Sequence, residues 1–213
     1  MCNLYSIRKG PAAILDLARA MRNEAGNLEP GDVYPDYAAP IVRQSSDGAR
    51  ILTTARWGLP SPVFALKGKK TDKGVTNIRN LRSPHWRRWL EPENRCLVPL
   101  TAFSEPGRNA EGKYEPVWFR LAGDDPEPLA FFAGIWTARW TSVRKLKEGE
   151  VTADLFGFLT CEPNSEVRAV HPKAMPVILT EQEAFEIWLT APWDIASQLQ
   201  RPLPDGALKR IAQ

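Results

Sequence analysis

The chain has 213 residues, 43% of them hydrophobic, and a formal net charge of +3. That length favours a single domain with a sizeable core, and nineteen prolines argue against long uninterrupted helices. No run reaches the roughly 18 apolar residues of a membrane span, and the first thirty residues lack a signal-peptide core, so we expect a cytoplasmic protein without membrane contact.

The first predicted element in chain order is a helix from Pro11 to Gly26. Its apolar face would carry Ile14, Ala18 and Met21. Short segments rich in β-branched and aromatic residues follow, broken by proline and glycine, which is typical of an antiparallel sheet system rather than of repeated βαβ units. These segments are residues 32–43, 49–60, 94–103, 114–122, 129–140, 154–161 and 174–180.

Two further helices are predicted. HWRRWL, residues 85–90, suggests a short helix, and Thr180 with Glu183 forms a capping-box pattern ahead of a longer one. The core face of the longer helix would be formed by Phe185, Trp188 and Leu189. The predicted fold class is α+β, a strand-dominated, antiparallel or barrel-like sheet system with a few peripheral helices. We expect one domain over residues 2–190 and a C-terminal tail over residues 191–213.

The three cysteines exclude a disulfide framework and a zinc knuckle, because they are odd in number and have no CxxC spacing. Cys96 and Cys161 lie in or beside apolar runs and are predicted to be inert core thiols. No metal or other cofactor is predicted.

Cys2 differs from the other two cysteines because it directly follows the initiator methionine. Methionine aminopeptidases generally remove Met1 when the second side chain is small. The mature chain would then begin with an α-amine and a thiol on adjacent carbons. Such a 1,2-aminothiol condenses with an aldehyde and closes a thiazolidine ring. The alternative is a free cysteine on a frayed terminus.

Positive charge is concentrated between residues 67 and 95, where nine Lys or Arg face three acids for a net charge of +6. A local basic segment points to a polyanionic partner, although a solvated lysine-rich loop has the same composition. Asn77, Arg79 and Arg82 lie in this segment. An extended backbone would turn Asn77 and Arg79 to one face, where an amide and a guanidinium suit a phosphate or sugar oxygen. The alternative is a polar edge strand.

Two titratable residues end or precede apolar runs. Glu105 closes the run VPLTAFS, where partial desolvation would raise its pKa and allow proton transfer, or it is a turn-capping residue. His171 stands at a bend before a proline-bounded apolar strand, with Lys173 two positions on. It can move protons near neutral pH, or it is a histidine satisfied within the core.

Arg56 and Trp57 precede a Gly-Leu-Pro turn. An indole at such a surface can stack on a nucleobase, which is worth roughly 1–3 kcal/mol per base. Burial of Trp57 in the core is the alternative.

In this order, several short motifs resemble the SRAP family, named for SOS-response-associated peptidases. The match spans residues 2–190. The motifs are MC at the start, RWGLP (56–60), NIR (77–79), the apolar run ending in Glu105, and HPKAMPVIL (171–179). The order of five motifs is far more specific than any one of them. The chain departs from the family pattern at Asn3 and Leu4, which stand where Gly-Arg is common, at Pro106, and at Lys173 in place of an arginine.

The resemblance implies recognition of abasic sites in single-stranded DNA and covalent capture of them through the N-terminal cysteine, as a thiazolidine. It makes Cys2 the nucleophile, Glu105 the acid/base for ring opening and His171 the second proton-transfer group. Asn77 and Arg79 would hold the lesion and its phosphate. The predicted catalytic set is Cys2, Asn77, Glu105 and His171. The predicted DNA-binding set is Asn77, Arg79, Arg82, Arg56, Trp57 and Lys173.

Further expectations follow from this hypothesis. The imine intermediate permits an AP-lyase side reaction, the partner is single-stranded DNA with abasic sites, and the protein is a monomer that joins the nucleoid on damaged DNA. A cysteine peptidase, including one that removes its own Met1, is one alternative. A non-catalytic single-strand-binding module is the other.

Overall fold

The computed structural model describes residues 2–108 and 111–212. Strands dominate it, and most of them are short. They are β1 (Leu4–Ile7), β2 (Arg22–Asn23), β3 (Gly31–Val33), β4 (Ala38–Gln44), β5 (Arg50–Trp57), β6 (Asn77–Ile78), β7 (Arg95–Leu100), β8 (Ala102–Arg108), β9 (Tyr114–Leu121), β10 (Ala130–Val143), β11 (Glu150–Cys161), β12 (Met175–Pro176), β13 (Ile178–Leu179) and β14 (Leu208–Ile211). The helices are α1 (Pro11–Ala18), α2 (Val63–Leu66), α3 (Ser165–Arg168), α4 (Gln182–Thr190) and α5 (Trp193–Ala196). Single 3-10 turns occupy Arg87–Trp89, Pro92–Asn94 and Ser197–Leu199.

Five strands close into a barrel. The order β11-β10-β7-β4-β5 is antiparallel throughout, and β11 then pairs with β5 in parallel, which completes the ring. The short strand β6 pairs in parallel with β11, while β12 and β13 pair with β11 and β10. The predicted fold class, a strand-dominated and barrel-like α+β system, is confirmed. Parallel pairs at β5, β6 and β2 are an addition to the antiparallel arrangement.

A second sheet has five strands in the order β14-β9-β8-β1-β3. The N-terminal strand β1 lies inside this sheet, between β3 and β8. The C-terminal strand β14 pairs with β9, and Leu208 is buried. The described part of residues 191–213, predicted to be a C-terminal tail, therefore contributes the edge strand of this sheet and buries apolar surface.

The first helix is shorter than predicted. It ends at Ala18, and Arg19 takes a left-handed conformation with φ 51°. Met21 is 79% exposed because it belongs to the edge connection after the helix rather than to its apolar face. The capping-box prediction is also wrong, since Glu181 is the N-cap of α4 and makes no side-chain cap bond. The predicted core face of α4 is confirmed by the burial of Phe185, Trp188 and Leu189.

The aromatic core fills the space between the two sheets, and Trp57 lies at its centre. The Trp57 ring has no exposed surface, stacks on Phe158 at 5.2 Å and meets Tyr5 edge-on at 5.1 Å. Its indole N–H donates to the Thr76 carbonyl at 3.2 Å. The prediction that Trp57 stacks on a nucleobase is therefore wrong. Side chains alternate along β5, and this position faces inward.

The basic segment is less basic at the surface than its composition suggests. Arg95 is fully buried and donates to the carbonyl oxygens of Leu90, Trp188 and Ala191 at 2.6–2.8 Å. Burial lowers its pKa. Arg95 therefore ties the loop before β7 to the end of α4 and is not part of a DNA-facing surface. None of the helices within residues 2–108 and 111–212 has the length and hydrophobicity needed to cross a bilayer.

Candidate active site

The pairing of β1 with β8 brings the start of the chain to Glu105. Leu4 lies opposite Ser104 in this antiparallel pair, so the residues before Leu4 run alongside Glu105. The backbone N–H of Cys2 donates a hydrogen bond to the Glu105 carboxylate. Cys2 and Glu105, which are 103 positions apart in the sequence, are therefore joined by this hydrogen bond. Met1 itself lies outside the described residues.

Cys2 is fully buried. Its thiol lies 3.5 Å from the Leu4 carbonyl oxygen and donates to it. Burial, and then the negative charge of Glu105, raise the pKa of the thiol far above its usual value. The thiol is therefore protonated at neutral pH in this arrangement, and a thiolate nucleophile is not preformed.

Glu105 is buried within the sheet, with 1% of its surface exposed. Burial raises the pKa of its carboxyl group from 4.5 to about 7, and the hydrogen bond from Cys2 opposes that shift. A carboxyl group with such a pKa both accepts and donates protons at neutral pH. The predicted rise in pKa follows from desolvation, as expected for a carboxylate at the end of an apolar run.

His171 completes the proton-transfer pair. Its Nδ1 lies 3.5 Å from Glu105 Oε2 and 2.9 Å from the Ala174 carbonyl oxygen. Because a carbonyl oxygen only accepts hydrogen bonds, Nδ1 carries a proton and donates it to Ala174. The ring is held by the bend between α3 and β12, where Val167 accepts the His171 backbone N–H at 2.7 Å.

Asn77 holds the backbone of Cys2. Its Nδ2 donates to the Cys2 carbonyl oxygen at 2.8 Å and to Thr76 Oγ1 at 2.9 Å. Its side chain is more than nine-tenths buried, and Oδ1 accepts no hydrogen bond from any described residue. Strand β6 fixes this placement by pairing Asn77 with Phe158 of β11. The site thus contains a buried acceptor that is left for a ligand hydroxyl or N–H group.

Arg79 points to the segment that carries His171, and it is already engaged. It donates to the carbonyl oxygens of Cys161 at 2.7 Å and Lys173 at 3.1 Å, and it forms an ion pair with Glu162. Just over a third of its side chain is exposed. Arg79 therefore braces the loop of His171 and offers only part of its guanidinium to a ligand.

A basic cavity of about 870 Å³ opens next to Arg79. Arg82 and Arg87 line it, together with Trp193 and Gln200. Lys173 is exposed, and its ammonium lies on the loop that follows His171. The predicted DNA-binding residues Arg79, Arg82 and Lys173 therefore all retain solvent contact. Their role in DNA binding stays a prediction.

Arg56 does not have a free guanidinium. It contacts Asp36 at 2.6 Å and Glu148 at 3.1 Å, and only 16% of its side chain is exposed. Asp36 and Glu148 raise the pKa of Arg56, and the hydrogen bonds from Arg56 and Lys145 lower the pKa of Asp36. Both charge partners of Arg56 therefore come from the protein, and its contact with DNA stays a prediction.

Sequence reasoning missed the residues that support the predicted set. Glu162 forms the ion pair with Arg79, and the only sign of this in the sequence is that an acidic residue follows Cys161 at the end of a strand. Gln200 donates to the carbonyl oxygens of Arg79 and Thr160 at 2.9 Å, from a segment predicted to be a tail. Arg87 was considered only as one of the nine basic residues between residues 67 and 95. The supporting role of each of these residues can be recognised only when the pairing of strands distant in the sequence is known.

Known structures share this fold. A protein from Bordetella bronchiseptica superimposes with a TM-score of 0.72 at 25% identity, covering 100% of this chain and 99% of its own. A protein from Bacteroides thetaiotaomicron superimposes with a TM-score of 0.71 at 21% identity, and the match covers 98% of this chain and 90% of that protein. A phage-related protein from B. bronchiseptica superimposes with a TM-score of 0.68 at 18% identity, and the match covers 99% of this chain and 93% of that protein. A comparison with curated proteins finds no match.

The fold is a closed barrel with a second five-stranded sheet, in which Cys2 and Glu105 are buried and His171 lies beside them, partly exposed. The model of one family, SOS response associated peptidase (SRAP), matches residues 1–211. The chain belongs to the SRAP family, whose name links it to the SOS response. The match includes the segment predicted to be a tail, consistent with the pairing of β14 and β9.

Proposed function

We propose that the protein captures abasic sites in single-stranded DNA as a thiazolidine on Cys2 after removal of Met1. The observation that carries the proposal is the hydrogen bond from the Cys2 nitrogen to Glu105, with His171 at 3.5 Å from the same carboxylate. Once Met1 is removed, this amide nitrogen becomes the α-amine. A nucleophilic nitrogen would then lie beside a buried carboxyl group whose pKa is raised by desolvation.

The first step is formation of an imine. The abasic sugar opens to its aldehyde, assisted by proton transfer through Glu105. The neutral α-amine, whose unperturbed pKa is about 7.7–8.0, attacks C1′ and forms a carbinolamine. Protonated Glu105 then gives its proton to the departing hydroxyl group, which leaves as water. Loss of water leaves the nitrogen as a protonated imine and Glu105 as a carboxylate. His171, which lies 3.5 Å from that carboxylate and is 15% exposed, would exchange protons between Glu105 and solvent once the ring has closed.

The second step closes the ring. The Cys2 thiol gives up its proton to the Glu105 carboxylate, and sulfur adds to C1′ of the imine. The electron pair of the carbon–nitrogen double bond moves to the protonated nitrogen, which becomes a neutral secondary amine, and no oxidant is needed. Holding amine, thiol and aldehyde together contributes several kcal/mol, up to about 7–11 in ideal cases. Closure diverts the imine from β-elimination, the AP-lyase side reaction.

Asn77 and the basic cavity have supporting roles in this proposal. The amide of Asn77 fixes the Cys2 carbonyl and therefore the direction of the adjacent nitrogen, and its Oδ1 would accept a hydrogen bond from the opened sugar. Phosphates would follow Arg82, Arg87 and the exposed part of Arg79. Binding would then weaken with salt as counterions are released.

The test uses a uracil-containing oligonucleotide treated with uracil glycosylase. Wild-type protein is expected to give a slow-migrating, heat-stable band, and Cys2→Ala none. Cys161→Ala is the matched control, because it also removes one buried thiol. A chain with one glutamate inserted between Met1 and Cys2 keeps its methionine and is expected to give no band, with intact mass reporting the state of Met1 in every sample.

The outcomes separate the rival activities. A band that persists in Cys2→Ala or in the glutamate-inserted chain contradicts the proposal. Casein turnover that requires Cys2, without the DNA band, assigns the site to a peptidase. Salt-sensitive DNA binding that is unchanged in Cys2→Ala, again without a band, leaves a binding module.

A further inference from the structure

Two exposed tyrosines, Tyr34 and Tyr37, lie side by side in the connection between β3 and β4. Their rings are 5.5 Å apart between centroids, and the residues are 44% and 56% exposed. In the part of the chain that the structure describes, no other two contacting aromatic rings are both exposed. The pair is therefore an apolar surface that the fold leaves open.

A tight turn holds this pair rigidly. The Tyr37 backbone N–H donates to the Tyr34 carbonyl oxygen at 3.1 Å, and Asp36, third in the turn, has φ 73°. Proline second and a positive φ third are the signature of a type II turn, which usually takes glycine at the third position. Asp36 tolerates this conformation because Arg56 and Lys145 bind its carboxylate at 2.6 and 3.0 Å. The turn thus fixes the backbone from which both rings extend.

The turn is joined to the candidate active site from two sides. Tyr34 directly follows β3, which pairs with the strand leading from Cys2. The Tyr37 carbonyl accepts the backbone N–H of Trp57 at 2.9 Å. The Trp57 indole in turn donates to the residue before Asn77 at 3.2 Å. A nucleotide adjacent to one held at Cys2 would therefore lie within reach of the tyrosine pair.

The charges around the pair favour a base over a phosphate. Asp36 and Glu148 neutralise Arg56 and Lys145 formally, so the turn offers an anion no net attraction. Exposed aromatic faces stack on every base, because every base has a π-face. The rings are too close to admit a base between them, which would need two contacts of about 3.5 Å each. The base would stack on the outward face of the pair.

We propose that Tyr34 and Tyr37 form a stacking platform for the base next to the abasic site in single-stranded DNA. The inference rests on the proposed function for its ligand. It adds a subsite that holds one neighbouring nucleotide by an apolar contact, separate from the arginine-lined cavity.

The experiment uses an oligonucleotide with a tetrahydrofuran abasic analogue, which has no aldehyde, and 2-aminopurine on its 5′ or its 3′ side. Wild-type protein is expected to quench the fluorophore on one side only. The double variant Tyr34→Ala/Tyr37→Ala should lose that quenching and bind about 5- to 150-fold more weakly. Tyr34→Phe/Tyr37→Phe, which keeps both rings, should bind within about twofold of wild type. Met21→Ala is the control for loss of an exposed apolar side chain, at the opposite end of β5.

The inference and the proposed function fail in different ways. Unchanged affinity and quenching in the double alanine variant overturn the platform, whatever the crosslinking result. A dimer that the double variant dissociates, with DNA binding intact, assigns the pair to a protein interface and also overturns it. Ring-dependent quenching without a Cys2-dependent crosslink to a true abasic site overturns the proposed function alone.

Discussion

Replacing Glu105 by glutamine tests whether its carboxyl group is as poorly solvated as its burial implies. The side chain is 1% exposed, and burial raises its pKa from 4.5 to about 7. A carboxyl group that binds its proton more tightly in the folded state stabilises the fold below pH 4.5. That stabilisation is lost as the pH rises towards 7. Glutamine is neutral throughout and removes this pH dependence.

The magnitude follows from the two pKa values. Each tenfold change in proton affinity is worth about 1.36 kcal/mol, so a rise from 4.5 to about 7 corresponds to about 3 kcal/mol. Relative to wild type, Glu105→Gln is therefore expected to gain about 3 kcal/mol in free energy of unfolding between pH 4.5 and pH 8. Urea unfolding followed by tryptophan fluorescence measures this free energy at each pH.

The control is Glu115→Gln, which removes an exposed carboxyl group from the partner strand of the same hairpin. Surface substitutions of this kind alter stability by less than about 0.5 kcal/mol. A difference between wild type and Glu105→Gln that is the same at both pH values would refute the assignment of a desolvated, proton-binding carboxyl group. In protein with a free α-amine at Cys2, the ammonium beside Glu105 lowers its pKa, so the difference should shrink.

Three further substitutions test the packing around the site. Tyr5→Phe should raise the free energy of unfolding by about 1–2 kcal/mol, because the buried Tyr5 hydroxyl has no hydrogen-bond partner among the described residues. A loss of stability would mean that the hydroxyl does make a hydrogen bond. Gly134→Ala should cost about 1–3 kcal/mol, since a Cβ there would lie 2.7 Å from Cys96 Sγ, and Cys96→Ala should partly rescue it. Arg95→Met should cost about 3 kcal/mol or more by leaving three buried carbonyls without a donor, and a Tm within 2 °C of wild type, measured by calorimetry, would contradict this.

Much of the fold could be predicted from local patterns. The strand segments carry β-branched and aromatic residues between prolines and glycines, and the barrel uses most of them. The helical spacing of Phe185, Trp188 and Leu189 gave the core face of α4 correctly. The end of α1 could not be predicted, because the left-handed Arg19 breaks a helical pattern that continues in the sequence.

The site was harder to predict because its geometry depends on long-range pairing. Glu105 and His171 were predicted by their positions at the ends of apolar runs, but nothing local indicates that they lie 3.5 Å apart. The burial of Trp57 and the ion pairs of Arg56 could not be predicted for a related reason. Local sequence does not reveal which face of β5 is covered, nor that Asp36 and Glu148 reach the guanidinium from other segments.

Because β1 lies inside the second sheet, Cys2 is enclosed only late in synthesis of the chain. β1 pairs with β8, so its partner does not exist until about a hundred residues have been made. At about 5–20 residues per second, that synthesis takes roughly 5–20 s. During this interval the nascent start of the chain is open to an aminopeptidase, whereas afterwards Cys2 is enclosed. Trimming of the methionine would therefore compete with folding, and synthesis speed would set the share of chains that mature with a working aminothiol.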